Sequence, residues 1–117
     1  MKILYVEDNT INRLVFKKML EPNAEVTAVE TGQEGIALAK DNFYNVIFID
    51  LNLNDIEVDG FEVFKEVKHF SHLKDSKFIA LTAYHDFEWK DKCEKAGFDN
   101  YIIKPFKKED LLSQIIQ

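Results

Sequence analysis

Short apolar runs rich in branched and aromatic residues recur at positions 3–6, 26–29, 46–49, 78–81 and 101–103, each followed by a stretch with helical spacing. That pattern predicts five strand-then-helix units. In the first helical stretch Ile11, Leu14, Val15 and Met19 share one face, and in the last Leu111, Leu112, Ile115 and Ile116 do so. Both stripes are expected to face a sheet. Thr31-Gly32-Gln33-Glu34 has the form of a capping box and marks the start of the second helix. Parallel strands need crossovers, and crossovers are right-handed, so strict alternation predicts a doubly wound α/β domain with helices on both faces of a five-stranded parallel sheet. The runs at 3–6 and 46–49 are apolar at every position, as strands covered on both faces must be, and are expected at the centre. The run at 25–29 is mixed and that at 100–103 is short, so both suit edges and the order becomes 2-1-3-4-5, the flavodoxin-like arrangement.

Length and composition narrow the function. A chain of 117 residues with 46% hydrophobic side chains is expected to be a single domain, 1–117, with a real core. A net charge of -6 disfavours nucleic acid and anionic membranes as direct partners, because both would repel the chain. No apolar run reaches the roughly 20 residues of a membrane span, and the first residues lead straight into a strand. The lone Cys93 cannot form an internal disulfide and is expected to be a small buried thiol. A cytoplasmic location with no membrane insertion is the expectation.

The chemistry lies at the carboxyl ends of the strands. Glu7 and Asp8 follow the first strand, Asp50 the third, Thr82 the fourth and Lys104 the fifth. In open α/β sheets ligands bind outside those ends near the topological switch point, here between strands one and three. One acid after a strand is as readily a helix cap; this convergence is much harder to explain that way. Three carboxylates crowded against an apolar sheet repel one another unless a cation compensates. With oxygen donors and no His or Cys set, the cation expected is Mg²⁺. His69, His72 and His85 have no ligand spacing and are expected at the surface or at helix ends. An Asp beside a metal suggests a carboxylate that accepts a phosphoryl group, with Lys104 and Thr82 contacting the phosphoryl oxygens.

Taken together, residues 6–9 (Val-Glu-Asp-Asn), 46–51 (Val-Ile-Phe-Ile-Asp-Leu), Asp59-Gly60, 80–83 (Ala-Leu-Thr-Ala) and 101–106 (Tyr-Ile-Ile-Lys-Pro-Phe) resemble the receiver domain of two-component response regulators, over residues 3–116. The resemblance implies that Glu7 and Asp8 help hold Mg²⁺, that Asp50 is the phosphoacceptor and a metal ligand, and that Asn52 gives its backbone carbonyl to the metal. It implies that Thr82 and Lys104 bind the phosphoryl group, that Thr82 and Tyr101 form the switch, and that Asn52 and Tyr84 tune phosphate lifetime. It also implies a cis peptide before Pro105, a histidine kinase or histidine phosphotransfer protein as donor, and a switched surface of fourth helix, fifth strand and fifth helix through which a homodimer can form. Such a domain is not an enzyme in the usual sense; its chemistry is its own phosphorylation and dephosphorylation. The run from Glu7 to Arg13 is similar to receivers attached to hybrid kinases, so the chain is expected to be part of a larger protein.

Several points stay open at this level. Trp89, Tyr101 and Phe106 suit a partner-facing or self-associating patch; half-buried packing suits Trp89 and Phe106 equally, and only Tyr101 is expected in the patch. The segment 51–58 is two residues longer than is usual in the family and lacks its customary proline. Asp55 and Glu57 there suit solvated loop charges better than metal ligands. Competing functions are a pseudo-receiver that binds a protein without phosphorylation, a phosphatase or mutase, and a flavin carrier. The intact set Asp8, Asp50, Thr82 and Lys104 opposes the first. Asn52 in place of an acid two residues after Asp50, and the lack of length for a cap, oppose the second. The acidic Glu7-Asp8 where a phosphate loop should stand opposes the third.

Overall fold

The computed structural model describes residues 1–52, 59–83 and 87–115. Tyr84, His85, Ile116 and the segment 53–58, with Asp55 and Glu57, lie outside the described residues. The chain alternates β1 (Lys2–Val6), α1 (Thr10–Leu20), β2 (Glu25–Val29), α2 (Gly32–Asp41), β3 (Val46–Asp50), α3 (Gly60–Val67), a short 3-10 turn (Ser71–Leu73), β4 (Lys77–Thr82), α4 (Phe87–Ala96), β5 (Asn100–Ile103) and α5 (Lys108–Ile115). The strands form one parallel sheet in the order β2-β1-β3-β4-β5, with Ile3 beside Val46 and Asp50 beside Leu81. The all-apolar runs are central and the mixed and short ones lie at the edges, as the pattern predicts. Among the described residues no helix is long and apolar enough to cross a membrane.

Alternation along each strand builds two core layers. Leu4, Val6, Ile47 and Ile49 face α2, α3 and α4, where Ala39, Val63, Phe64 and Cys93 meet them. Ile3, Tyr5, Val46 and Phe48 face the other way, onto Phe16 and Leu20 of α1 and Leu111 and Ile115 of α5. Cys93 is buried, and burial raises its thiol pKa to about 11, so it packs as an inert small hydrophobe.

The helix ends follow local chemistry. Asn9, Thr31 and Asp59 cap α1, α2 and α3 by accepting the backbone N–H three residues on. At Thr31 the hydroxyl also reaches Glu34 Oε1 at 3.1 Å, so the capping-box residues do meet. Gly97, at φ +107°, ends α4 in a conformation that L side chains rarely adopt. His72 sits on the 3-10 turn, where its Nε2 lies 2.7 Å from the Ala39 carbonyl near the end of α2, a structural helix-end role.

The inner face of α1 differs from expectation. Ile11, Leu14 and Val15 are exposed and Met19 is only partly buried; the buried residues are Phe16 and Leu20. The Phe16 ring stacks on Tyr5 at 3.8 Å between centroids and meets the edge of Phe48 at 5.1 Å. Burying a Phe is worth roughly 1.5–3 kcal/mol, and each aromatic pair about 0.5–1.5 kcal/mol more. The helix therefore turns Phe16 and Leu20 inward and leaves Ile11, Leu14 and Val15 in water. At the other end of the chain Leu111 and Ile115 of the expected stripe are buried and Leu112 is partly so, while Ile116 lies outside the described residues.

Candidate functional site

The carboxyl ends of β1, β3, β4 and β5 meet over the switch point. Glu7 and Asp8 follow β1, and each can place one carboxylate oxygen within 4.8 Å of the others and of Asp50. Asp50, the last residue of β3, is 2% exposed, Glu7 is 1% exposed and Thr82, the last residue of β4, is fully buried. The five site residues placed on strand ends by sequence therefore converge, Lys104 from just beyond β5.

Asp50 is held at both oxygens. Its Oδ1 accepts the Asn52 backbone N–H at 2.8 Å, and its Oδ2 meets Lys104 Nζ at 2.7 Å. The Lys104 backbone N–H donates to the Thr82 carbonyl at 2.8 Å, which ties the lysine to the end of β4, and the Lys104–Pro105 peptide is cis as the resemblance implied. A second cis peptide, Glu21–Pro22, lies far along the chain from any site residue. The Asn52 side chain accepts from the Ala83 N–H at 2.9 Å, so the loop after β3 is stitched to the loop after β4.

Glu7 stands in an unfavourable setting for a charge. Burial above all, and then the facing Asp50 carboxylate, push its carboxyl up to about 7, while Asn12 and Lys104 pull it down. Its Oε1 accepts from Asn12 Nδ2 at 2.6 Å and lies 3.6 Å from Lys104 Nζ. Its Oε2 is buried and receives no hydrogen bond among the described residues. A group that is proton-bound in the fold up to about pH 7 but ionises near 4.5 in the unfolded chain favours folding at low pH, and that advantage is lost as pH rises through 7. Glu7→Gln is therefore expected to gain stability relative to wild type as pH rises from 4.5 to 7.5 when metal is absent. Urea titrations of both proteins across that range check this; parallel stability curves would refute it.

Sequence reasoning missed several participants. Asn12 and Arg13 reach Glu7 from α1, the Arg13 guanidinium donating to the Glu7 carbonyl at 2.8 Å. The Asn9 cap and helical phase were the available signals. Tyr5 is buried below the site and its hydroxyl is unpaired among the described residues; burial raises its pKa, so it stays neutral. Tyr101 is half-buried on β5 and packs with Trp89 against one core layer, whereas Phe106 packs against the other, beside Phe16. The three aromatics thus lie partly buried on opposite sides of the sheet. Tyr84 falls outside the described residues.

A cleft of about 460 Å³ opens beside Lys104, between α1 and the turn after β5, lined by Tyr5, Asn12, Val15, Met19, Ala83, Pro105 and Phe106. Its walls are largely apolar, and Lys104, which pairs with Asp50, is one of them.

Known proteins share this arrangement. The chain is 38% identical over 120 residues to hybrid signal transduction histidine kinase L of Dictyostelium discoideum, covering 94% of this chain and 7% of that protein. It therefore spans under a tenth of that relative's length. Chemotaxis protein CheY4 of Vibrio cholerae superposes with a TM-score of 0.88 at 30% identity, over 97% of this chain and 94% of that one. The receiver domain of the Pseudomonas aeruginosa sensor histidine kinase PA1611, whose structure has a magnesium ion coordinated in the active-site cleft, superposes with a TM-score of 0.87 at 31% identity, over 97% and 93%. The response regulator receiver domain model matches residues 3–116. With the order 2-1-3-4-5, acids ending the central strands and a lysine ending the last, the chain belongs to the response regulator receiver domain family of two-component signalling.

Proposed function

We propose that residues 1–117 act as one receiver unit that takes a phosphoryl group from a phosphohistidine onto Asp50, with Mg²⁺ held by Glu7, Asp8, Asp50 and the Asn52 backbone carbonyl. The observation that carries this reading is the Lys104 ammonium 2.7 Å from Asp50 Oδ2, inside a cluster of three carboxylates. The donor set fits Mg²⁺: its ligand atoms are all oxygen, the three carboxylates can each place one oxygen within 4.8 Å of the others, and Glu7 Oε2 is a buried oxygen without a donor among the described residues. When bound, Mg²⁺ would offset negative charge on the carboxylates and on the transferred group.

The residues divide the remaining work. An Asp50 oxygen attacks phosphorus in line, the phosphorus–nitrogen bond breaks, and the imidazole leaves with the electron pair. The backbone N–H of Asn52 keeps the attacking carboxylate oriented. Lys104, freed from the carboxylate that has become an acyl phosphate, pairs with a phosphoryl oxygen, and the Thr82 hydroxyl takes another. Movement of Thr82 then draws Tyr101 inward and alters the α4–β5–α5 surface, where the exposed Ile103 lies on an edge strand and a homodimer can form. Asn52 and Tyr84 are the positions that would tune phosphate lifetime, by resemblance to the family. The cytoplasmic side, where kinases draw on ATP, is the setting this chemistry requires.

The test is intact mass after incubation with Mg²⁺ and a small acyl phosphate. One phosphoryl group is expected on wild type and none on Asp50→Asn. A wild type that gains no Asp50-dependent adduct would instead favour the pseudo-receiver reading.

The exposed α1 stripe fits the donor. Ile11, Leu14 and Val15 are 65%, 51% and 44% exposed, and Val15 lines the cleft beside Lys104. Any protein that delivers a phosphohistidine to Asp50 must cover this rim, and apolar side chains there reward contact with a partner's helical surface. Leu14→Ser and Ile11→Ser are expected to leave stability within about 0.5 kcal/mol, as surface changes do. Both should slow transfer from a phosphorylated histidine phosphotransfer protein several-fold while leaving labelling by acyl phosphate unchanged. Equal slowing of both reactions, or of neither, would remove α1 from the docking surface.

A further inference from the structure

The first turns of α1 act on Glu7 through groups that the reading above does not use. Asn12 Nδ2 donates to Glu7 Oε1 at 2.6 Å. The Arg13 guanidinium donates to the Glu7 backbone carbonyl at 2.8 Å and to Thr10 Oγ1 at 3.1 Å. The Asn12 backbone is itself fixed, since its N–H donates to the Asn9 cap at 2.9 Å. A glutamate has one more rotatable bond than an aspartate, and every rotor left free must be ordered when a ligand binds. Here the rotor is already held. One carboxylate oxygen is engaged by the amide, and the other, Oε2, is buried and accepts nothing among the described residues.

We propose that Asn12 is a positioning residue for Mg²⁺ binding, which holds Glu7 so that Oε2 is the oxygen offered to the cation. The inference rests on the Mg²⁺ reading above. An amide suits the task because it donates without charge. A lysine or arginine at that point would compete with the metal, and an aspartate would repel Glu7 and donate nothing. Hydrogen-bond partners that orient metal-ligating side chains commonly change metal affinity by about 10–100-fold when removed.

The test is a Mg²⁺ titration read by the thermal midpoint, which needs no phosphoryl transfer. Asn12 is exposed and its cap contact uses the backbone, so its variants should fold. Asn12→Ala and the isosteric Asn12→Asp are expected to raise the Mg²⁺ dissociation constant about tenfold or more, and Asn12→Gln, which keeps the donor, to recover part of the loss. Glu7→Asp withdraws the carboxylate from the amide by about one carbon–carbon bond, ~1.5 Å, and in that background Asn12→Ala should cost nothing further. Wild-type affinity in Asn12→Ala, or an equal loss in the Glu7→Asp background, overturns the role of Asn12 alone. A wild type whose midpoint does not respond to Mg²⁺ overturns the metal reading and this inference with it.

Discussion

Asp50→Asn is expected to fold and to take up no phosphoryl group from an acyl phosphate, even after long incubation with Mg²⁺. Asparagine keeps the shape of the side chain and an oxygen for the Asn52 N–H, which now donates to Asp50 Oδ1 at 2.8 Å. It removes the nucleophile, because an amide oxygen does not form a stable bond to phosphorus as a carboxylate oxygen does. Two electrostatic changes oppose each other. Lys104 loses its 2.7 Å partner but keeps Glu7 at 3.6 Å, and Glu7 no longer faces a second carboxylate, so its pKa should fall. The lysine side chain retains 21% exposure, so water screens what the lost partner no longer offsets. Near-UV circular dichroism verifies the fold and intact mass the chemistry. A phosphoryl adduct on the variant equal to that on wild type would show that another residue is the acceptor.

Gly60→Ala should have the largest effect on stability. Gly60 opens α3 directly beneath the loop that follows Asp50, and a methyl group there would stand 2.5 Å from the Asp50 carbonyl oxygen and 2.8 Å from Leu51 Cα. Both neighbours are backbone atoms and cannot rotate away. The space, rather than any unusual dihedral, demands glycine. Overpacking of this kind costs about 3 kcal/mol at the upper end of its usual range. Alanine's better helix propensity returns about 1 kcal/mol at most, and less at a first-turn position. The net is a fall in thermal midpoint of several degrees, with slower phosphorylation, because relief of the clash must move the backbone that carries Asp50. A Gly60→Ala protein with wild-type midpoint and labelling rate would show that α3 can shift without disturbing the site.

Much of the fold was legible because its signals are local. A run such as Val46-Ile47-Phe48-Ile49 is apolar throughout only when both faces of a strand are covered, so it reports a central strand directly. An acid ending such a run reports the carboxyl edge, and Thr31 and Glu34 report a helix start from three residues apart. The inward face of α1 was not legible, because that helix carries two apolar stripes. Nothing within it shows that Phe16 fits between Tyr5 and Phe48 while Leu14 has no place to go. The contacts that tune the site were equally hidden. Asn52 to Ala83, Lys104 to Asp50 and Gly60 against Asp50 each join segments separate in the chain, and Asn12 reaches Glu7 only because α1 starts at a particular angle to β1.

Hydrophobic period and strand-end chemistry are written residue by residue, so the five alternating units, the strand order and the residues that end each strand are local properties of the chain. The side of α1 that faces water, the burial that pushes the Glu7 carboxyl up, and which of its oxygens lacks a donor among the described residues all arise from packing between elements. Those properties depend on distances of a few ångströms between elements remote in the chain. Packing sets such distances, and no local pattern encodes them.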